Sequence, residues 1–262
     1  MPTAIPDILG RIVRRKRDEL SELRHDWAAL EQRAAARVHE RRDFAAALRA
    51  QPPAIIAEIK KASPSRGLLT DDFQPARTAG QYQTGGAAAL SVLTDHDFFA
   101  GSLIDLEAAR AAVKIPVLRK DFTLEPRQVI EAAAHGADAI LLIAAILSID
   151  QLRALRELAA QYRMSSLVEV HDAAELSLAL ESGAEIVGVN NRDLRSFETH
   201  LDVSIQLAGG IPSSVIAVTE SGIHSAADVR RLRDAGYQAF LVGEHLMQSP
   251  DPAGALRALR QV

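Results

Sequence analysis

The chain has 262 residues, no cysteine and a formal net charge of −4. The lack of cysteine excludes disulfides, thiolate metal sites and thiol catalysis, and the acidic balance argues against a general nucleic-acid binder. No apolar run approaches the roughly 20 residues that span a bilayer, and the N-terminus has no signal-peptide core, so we predict a cytoplasmic protein with no membrane role.

The first fifty residues predict amphipathic helices. Their apolar residues recur at helical spacing and form one stripe, next to a basic run at residues 14–17. We interpret this basic run as the solvated face of a helix, and Arg41 and Arg42 as ordinary surface residues. Residues 1–50 are therefore predicted to form a helical extension that packs on the rest of the fold. The stripe comprises Ile5, Ile8, Leu9, Ile12, Val13, Leu20 and Leu23.

From residue 54 onward, short apolar runs alternate with amphipathic segments. This alternation predicts parallel strands joined by right-handed helical crossovers. Gly86, Gly136, Gly183 and Gly236 each precede a run, as expected where a helix ends before a strand. Eight runs, with no GxGxxG after the first, favour a closed (β/α)8 TIM barrel over an open sheet. The runs span 54–62, 88–95, 116–122, 139–147, 166–171, 186–194, 215–223 and 239–247.

The length agrees with a single barrel. Eight βα units typically need about 250 residues. We therefore predict one domain over residues 1–262, with the helical extension at 1–50 and the barrel at 54–262.

Polar and charged residues gather at the ends of these runs, where the active sites of such barrels form. Only five lysines stand against twenty-five arginines, and lysine, unlike arginine, can be tuned for proton transfer. Residues two apart on a strand share a face. A single charged residue at a strand end could simply belong to an ion pair at the rim of the barrel. Lysines and glutamates that converge from several strands indicate acid–base catalysis instead. Glu58 with Lys60, Lys120 with Phe122, and Asn190 with Arg192 form same-face pairs, and Glu169 and Glu220 end two further runs.

The last two runs predict a phosphate site. Ser221 and Gly222 precede a helix that is expected to begin with Ser225 as its N-cap, and Gly243 and Glu244 end the eighth run. Backbone N–H groups beside glycine and at a helix N-terminus bind anions. Such dipeptides are common in turns, so the prediction depends on their placement after strands seven and eight, where these barrels bind phosphate.

The spacing of the histidines argues against a metal site, and a pair of phenylalanines indicates an apolar wall. None of the eight histidines has HxH or HExxH spacing, so we expect no metal site. Phe98 and Phe99 follow the second run and are predicted to form an apolar wall for an aromatic substrate.

The motifs at these positions resemble those of the indole-3-glycerol phosphate synthase family. The stretch IIAEIKKASPS at 55–65 resembles the family signature, in which the E-x-K-x-x-SPS element is specific. Later motifs follow in order, and the resemblance covers essentially the whole chain, including the helical extension. They are FFAGS at 98–102, LRKDF at 118–122, LVEV at 167–170, GVNNRDL at 188–194 and ESGI at 220–223.

The resemblance implies a cofactor-free reaction of tryptophan biosynthesis. Its substrate is 1-(2-carboxyphenylamino)-1-deoxyribulose 5-phosphate, and ring closure, decarboxylation and dehydration yield indole-3-glycerol phosphate, CO₂ and water. The implied partner is this small phosphorylated molecule, with no obligate protein partner.

The resemblance also implies a role for each residue. Lys120 is the acid of ring closure, and Glu169 is its partner acid/base in dehydration. Lys60 meets an anionic group of the substrate and shares proton transfer, while Glu58 and Asn190 orient the lysine and the sugar hydroxyls. The substrate-binding residues are Ser63 and Arg192 at the carboxylate, Phe99, Phe122, Leu141 and Leu194 along the ring, and Glu220 at the sugar.

The implied phosphate ligands are Ser221, Gly222, Gly243 and the backbone of Glu244. Some family members carry serine at the last position. A carboxylate that pointed inward would repel phosphate, so only the N–H group of Glu244 is expected to contribute.

Two other classes of protein compete with this interpretation. Phosphoribosylanthranilate isomerase resembles it in fold but relies on a cysteine near the end of strand one, and sugar-isomerising barrels of histidine biosynthesis expect two aspartates. This chain has no cysteine, and its first and fifth runs end in glutamates. A catalytically silent phosphometabolite-binding barrel would be free to lose Lys60, Lys120 and Glu169, which are all present.

Overall fold

A computed structural model describes residues 7–22, 26–50, 52–64, 66–193 and 196–262. Eight parallel strands close into a barrel in chain order, and the first strand pairs with the last. The predicted (β/α)8 TIM barrel is confirmed, whereas the extent of its single domain stays a prediction. The strands are β1 (Ala54–Ile59), β2 (Ala89–Leu93), β3 (Val117–Lys120), β4 (Ala139–Ile143), β5 (Ser165–Val170), β6 (Ile186–Asn190), β7 (Ile216–Glu220) and β8 (Ala239–Val242).

Helices surround the barrel and cover its ends. Two of the described helices have only four residues and the others are longer; Ser225 is the N-cap of the helix Ala226–Asp234, as predicted, and forms a capping box with Asp228. No described helix is long and apolar enough to cross a membrane. The helices are α1 (Asp7–Glu22), α2 (Trp27–Ala36), α3 (Phe44–Ala50), α4 (Pro75–Gly85), α5 (His96–Phe99), α6 (Leu103–Ala112), α7 (Pro126–Ala134), α8 (Ile149–Gln161), α9 (Ala173–Glu181), α10 (Asp202–Ala208), α11 (Ala226–Asp234), α12 (Glu244–Met247) and α13 (Pro252–Leu259).

The strands are buried on both faces because helices cover the outside of the barrel. On β1, Ile55 and Ile59 pack outward against the helices, while Ala54 and Ile56 belong to the interior. Side chains alternate along a strand, so Glu58 shares the inward face of Ile56. The apolar layer below it consists of Ile56, Leu118, Leu167 and Val218, one residue from each odd-numbered strand.

The N-terminal helices lie at opposite ends of the barrel. Ile8, Leu9 and Ile12 of α1 line the cavity at the carboxyl ends of the strands. Phe44 and Leu48 of α3 are fully buried in the interior cluster at the other end. The predicted helical extension is confirmed for the described residues, and Ile5 and Leu23 of the predicted stripe lie outside them.

The prediction for the basic run is wrong at one position. Arg14, Arg15 and Arg17 are exposed, but Lys16 is 3% exposed. Helical periodicity identifies the polar side of α1 but not the carboxylates from other elements that surround Lys16 in the fold.

The prediction that Arg41 and Arg42 are surface residues is also wrong. The Arg41 guanidinium donates hydrogen bonds to the carbonyls of Ala133, at 2.6 Å, and Tyr162, at 3.1 Å. Arg42 donates to the carbonyl of Ile115 at 2.8 Å. These arginines satisfy carbonyl groups at the ends of neighbouring elements, which the sequence gives no means to locate.

Phe44 is expected to contribute strongly to stability because it fills the lower end of the barrel. Phe44→Ala should lower the free energy of unfolding by about 3–5 kcal/mol, since a cavity replaces the ring. Urea unfolding followed by circular dichroism measures this change. Ile104→Ala, at a side chain that is 75% exposed, is the control and should change stability by less than about 0.5 kcal/mol. Equal losses in both variants would contradict the role of Phe44.

Candidate active site

A cavity of about 470 Å³ opens at the carboxyl ends of the strands, with α1 along one wall. It brings together every predicted site residue that the structure describes, while Leu194 lies outside the described residues. The predicted residues that line it are Glu58, Lys60, Ser63, Phe99, Lys120, Phe122, Leu141, Glu169, Asn190, Arg192, Glu220, Ser221, Gly222, Gly243 and Glu244.

One lysine and three glutamates form the uppermost layer of the barrel interior. Glu58 of β1 pairs in register with Ser91, and Ser91 with Leu118. Because barrel strands are tilted and staggered, the residue level with Glu58 lies two positions further along, at Lys120. The same advance leads to Glu169 on β5, to Glu220 on β7 and back to Glu58. Alternate strands thus supply the four side chains of one layer, as in other barrels of this fold.

The two lysines of the cavity have different carboxylate partners. Lys120 Nζ lies 3.3 Å from Glu169 Oε2 and 3.8 Å from Glu220 Oε2. Lys60 Nζ lies 2.7 Å from Glu58 Oε1. All three glutamates are buried, so each depends on these ammonium groups and on hydrogen bonds for compensation of its charge.

The carboxylates hold Lys120 in its ammonium form. Burial alone would lower the pKa of Lys120, but attraction by Glu169, Glu220 and Glu58 outweighs it and raises the pKa above its usual range. Burial likewise opposes ionisation of Glu169, yet Lys120, His171 and a hydrogen bond from Asn190 keep its pKa below the usual range. The site therefore contains a charged ammonium donor next to an ionised carboxylate.

Glu220 has the highest pKa of the three glutamates. Burial and repulsion by Glu169 raise the pKa of Glu220 to about 8, against the smaller opposing attraction of Lys120, whereas the pKa values of Glu58 and Glu169 are lowered. The Oε1 atom of Glu220 has no hydrogen-bond partner among the described residues. Glu220 is therefore the carboxyl group of this layer that is most readily protonated.

Two glycines make room for these carboxylates. A Cβ atom on Gly188 would overlap Glu220 Oε1, and one on Gly243 would overlap Glu58 Oε1. Gly243, predicted as a phosphate ligand, thus also determines where Glu58 can lie. Gly188 belongs to the GVNNRDL motif but was not predicted as a site residue.

Aromatic rings form one side of the cavity. The centroids of Phe99 and Phe122 are 6.1 Å apart, and the rings are tilted by 36°. Phe99 lies at the end of α5, and Phe122 lies two residues after the end of β3. Ile8, Leu9 and Ile12 of α1 and Leu141 of β4 add apolar surface, whereas Phe98 does not line the cavity.

A tight turn with left-handed backbone forms the opposite side. Ser221 and Gly222 have φ values of 68° and 78°. The Asn191 side-chain amide donates to the carbonyls of Glu220, at 3.0 Å, and Ser221, at 3.1 Å, and so fixes the turn. The rings of His224 and His245 border this end of the cavity, with their centroids 6.1 Å apart.

The Glu244 side chain is engaged by arginines. Its Oε1 atom lies 3.0 Å from Arg66, and its Oε2 atom lies 3.8 Å from Arg192. Arg192 also donates to the carbonyl of Phe197 at 3.0 Å. Ser63 lies on the short hairpin formed by Ala62–Ser63 and Gly67–Leu68.

Sequence reasoning missed several residues at or next to the site, and His171 and Asn191 have the clearest contacts with predicted site residues. His171 Nε2 lies 3.4 Å from Glu169 Oε1, while its Nδ1 atom contacts Glu175 Oε2 at 3.0 Å. Parity could have found His171, which lies two residues after Glu169 on the same face. Asn191 points away from the cavity side of β6, so no strand-end argument could have identified its contacts with the Ser221 turn.

A barrel of eight βα units with buried lysines and carboxylates at the carboxyl ends of its strands defines the class of (β/α)8-barrel enzymes. A sequence model described as indole-3-glycerol phosphate synthase matches residues 9–259. The chain belongs to the indole-3-glycerol phosphate synthase family, and the family predicted from the motifs is confirmed.

Two relatives agree with this placement. A protein from Polaromonas sp. (strain JS666), named indole-3-glycerol phosphate synthase, is 50% identical over 259 residues, covering 97% of this chain and 98% of the relative. One of the same name from Aromatoleum aromaticum is 48% identical over 263 residues, with the same coverage of 97% and 98%.

Solved structures at low identity share the fold alone. KGPDC from Streptococcus mutans has a TM-score of 0.62 at 15% identity, covering 80% of this chain and 96% of that one. A thiamine phosphate pyrophosphorylase from Pyrococcus furiosus has a TM-score of 0.60 at 16% identity, covering 79% and 94%.

The raised pKa of Glu220 predicts a pH dependence of stability. The native protein holds a proton that the unfolded chain, with an ordinary glutamate pKa of about 4.3, has already released at neutral pH. The stabilisation from this group is therefore complete below about pH 4.3 and is lost as the pH rises through about 8. When the pH rises from 5 to 8.5, the free energy of unfolding should fall in both proteins. The fall should be smaller in Glu220→Gln than in the wild type, and the two should differ by at least about 1.4 kcal/mol.

Urea unfolding of both proteins at the two pH values measures this difference. The difference between the two profiles reports Glu220 together with the groups that titrate with it, above all Glu169 and Lys120. Parallel stability profiles would mean that Glu220 has an ordinary pKa.

Proposed function

We propose that the chain is an indole-3-glycerol phosphate synthase of tryptophan biosynthesis, a carboxy-lyase that acts on 1-(2-carboxyphenylamino)-1-deoxyribulose 5-phosphate. The observation that carries the proposal is the partly buried Lys120 ammonium beside ionised Glu169, between an aromatic wall and a glycine-containing turn. This arrangement suits a substrate with an aromatic ring at one end and a phosphate at the other. The reaction needs no cofactor, because each of its steps is a proton transfer, a carbon–carbon bond change or loss of water.

Lys120 acts first, as the acid of ring closure. The ring carbon that bears the carboxylate attacks the sugar ketone, a carbon–carbon bond forms, and the carbonyl electrons move onto oxygen. That oxygen takes a proton from the Lys120 ammonium, which the neighbouring carboxylates keep charged before reaction. Glu58 and Asn190 hold the surrounding groups: Glu58 pairs with Lys60, and the Asn190 amide donates to Glu169 at 3.2 Å.

Decarboxylation follows without a proton transfer. The carbon–carbon bond to the carboxylate breaks, CO₂ leaves, and its electron pair restores the aromatic ring. The apolar surface of Phe99, Phe122 and Leu141 supports this step, since loss of a charged carboxylate is favoured where water is excluded. Ser63 and Arg192 hold the carboxylate beforehand, and Leu194 is assigned to the same slot by the family resemblance alone.

Dehydration completes the indole. The methylene carbon next to nitrogen loses a proton, the hydroxyl on the new ring carbon leaves with a proton as water, and the double bond forms between the two carbons. Glu169, which is ionised in the free protein, is the partner acid/base of this exchange. Lys60 shares in the transfer and meets the anionic part of the substrate.

The phosphate and the sugar bind at the opposite side of the cavity. Ser221, Gly222 and Gly243 present backbone to the phosphate, and Glu244 contributes only its N–H group because its side chain faces Arg66 and Arg192. Glu220 is assigned to a sugar hydroxyl by the family resemblance. The cytoplasmic location and the absence of an obligate protein partner stay predictions.

Lys120→Ala should abolish most of the turnover. Loss of the general acid is expected to lower kcat by about 10²–10⁴-fold. The measurement is the rate at which indole fluorescence appears when purified protein meets the carboxyphenylamino-deoxyribulose phosphate. Lys114→Ala is the matched control, because it removes an exposed lysine and should leave kcat unchanged.

Two outcomes would contradict the proposal in different ways. Wild-type protein that binds the substrate without forming indole would be a phosphometabolite-binding barrel instead of a synthase. Wild-type turnover that survives Lys120→Ala would support the reaction but assign its acid to another group.

A further inference from the structure

A second buried lysine lies outside the catalytic layer. Lys16 of α1 is 3% exposed, and its Nζ atom lies 2.8 Å from Glu19, 2.9 Å from Asp95 and 3.2 Å from Asp121. Burial would lower its pKa, but Asp121 and Asp95 outweigh that effect and raise it, so the ammonium is charged. The proposed reaction gives Lys16 no role. A buried charge is costly unless strong partners compensate it, so the ion pairs of Lys16 call for an explanation.

Asp121 connects Lys16 to the end of β3. Its Oδ1 atom accepts both from Lys16 and from the backbone N–H of Phe122, the latter at 2.8 Å. Its Oδ2 atom accepts from Arg119 at 3.1 Å. Because the Asp121 carboxylate accepts from the N–H group of Phe122, the next residue in the chain, its position affects one ring of the aromatic wall.

Asp95 connects Lys16 to the other ring. Its Oδ1 atom accepts from the backbone N–H of Phe98 at 2.9 Å and caps α5, the four-residue helix that ends at Phe99. Its Oδ2 atom faces Lys16. The carboxylate thus fixes the start of α5 on one side and the Lys16 ammonium on the other.

Lys16 also fixes the helix to which it belongs. Ile12 lies four residues earlier, so the two side chains occupy the same face of α1. Ile8, Leu9 and Ile12 of the same helix line the cavity together with Phe99 and Phe122. The ammonium is therefore a shared anchor for α1, for Phe99 through Asp95, and for Phe122 through Asp121.

We propose that Lys16 is a positioning residue for the aromatic end of the substrate. It aligns three walls of the slot that holds the anthranilate ring and leaves the phosphate end of the cavity untouched. This inference rests on the proposed function, since it assumes that the aromatic wall receives that ring.

Lys16→Met tests the inference, with Arg14→Met as the matched control on the exposed side of the same helix. Lys16→Met should raise KM for the carboxyphenylamino substrate about tenfold, equivalent to about 1.4 kcal/mol of binding, while kcat changes less than about threefold. The inhibition constant of inorganic phosphate should stay the same in both variants. If the role of Lys16 were purely structural, Lys16→Met would reduce the amount of active protein. KM and the inhibition constant of phosphate would then both stay as in the wild type.

Asp95→Asn provides a second variant in case Lys16→Met fails to fold. Asparagine still caps a helix, so α5 keeps its start while Lys16 loses a charged partner. This variant should also raise KM and spare the phosphate inhibition constant. An unchanged KM, or equal weakening of substrate and phosphate, would overturn the inference.

Equilibrium titration with anthranilate separates this inference from the proposed function. Weaker anthranilate binding by Lys16→Met than by the wild type supports the positioning role even if the wild type shows no turnover. Equal anthranilate binding overturns the role even if the wild type proves to be an active synthase.

Discussion

The Lys120 ammonium lies among three buried carboxylates at the top of the barrel, and the rest of the mouth is arranged around the resulting charge balance. Glu58 is compensated mainly by Lys60, and Glu169 by Lys120. The pKa of the third carboxyl group, Glu220, is raised instead, because burial and repulsion by Glu169 outweigh the attraction of Lys120, whose Nζ atom lies 3.8 Å from Glu220 Oε2. One layer thus supplies a proton donor, an ionised acceptor and a carboxyl group that is readily protonated.

Such a layer is costly for the folded state, and its surroundings show how the barrel accommodates it. An apolar layer lies directly beneath it and keeps water from the interior. Gly188 and Gly243 leave the space that the carboxylates of Glu220 and Glu58 occupy. A site of this kind trades stability for pre-arranged charges, which act strongly because the cavity is partly shielded from water.

The helices of the N-terminal extension both stabilise the barrel and form part of the site. At one end, α3 fills the bottom of the interior with Phe44 and Leu48. At the other end, α1 provides an apolar cover and, through Lys16, contacts the carboxylates that hold α5 and the end of β3. The eight-unit barrel alone would leave the aromatic side of the mouth open to solvent.

The sequence by itself determined the order of strands and helices, the TIM barrel and the strand ends at which Glu58, Lys120, Glu169 and Glu220 point inward, because hydrophobic periodicity and strand parity are local properties of the chain. Tertiary structure alone decided which carboxyl group has a raised pKa, that Lys16 is buried, and that Glu244 turns toward arginines. Those outcomes depend on distances between side chains that come from different elements. Local patterns do not encode such distances, and electrostatic interactions change steeply with them.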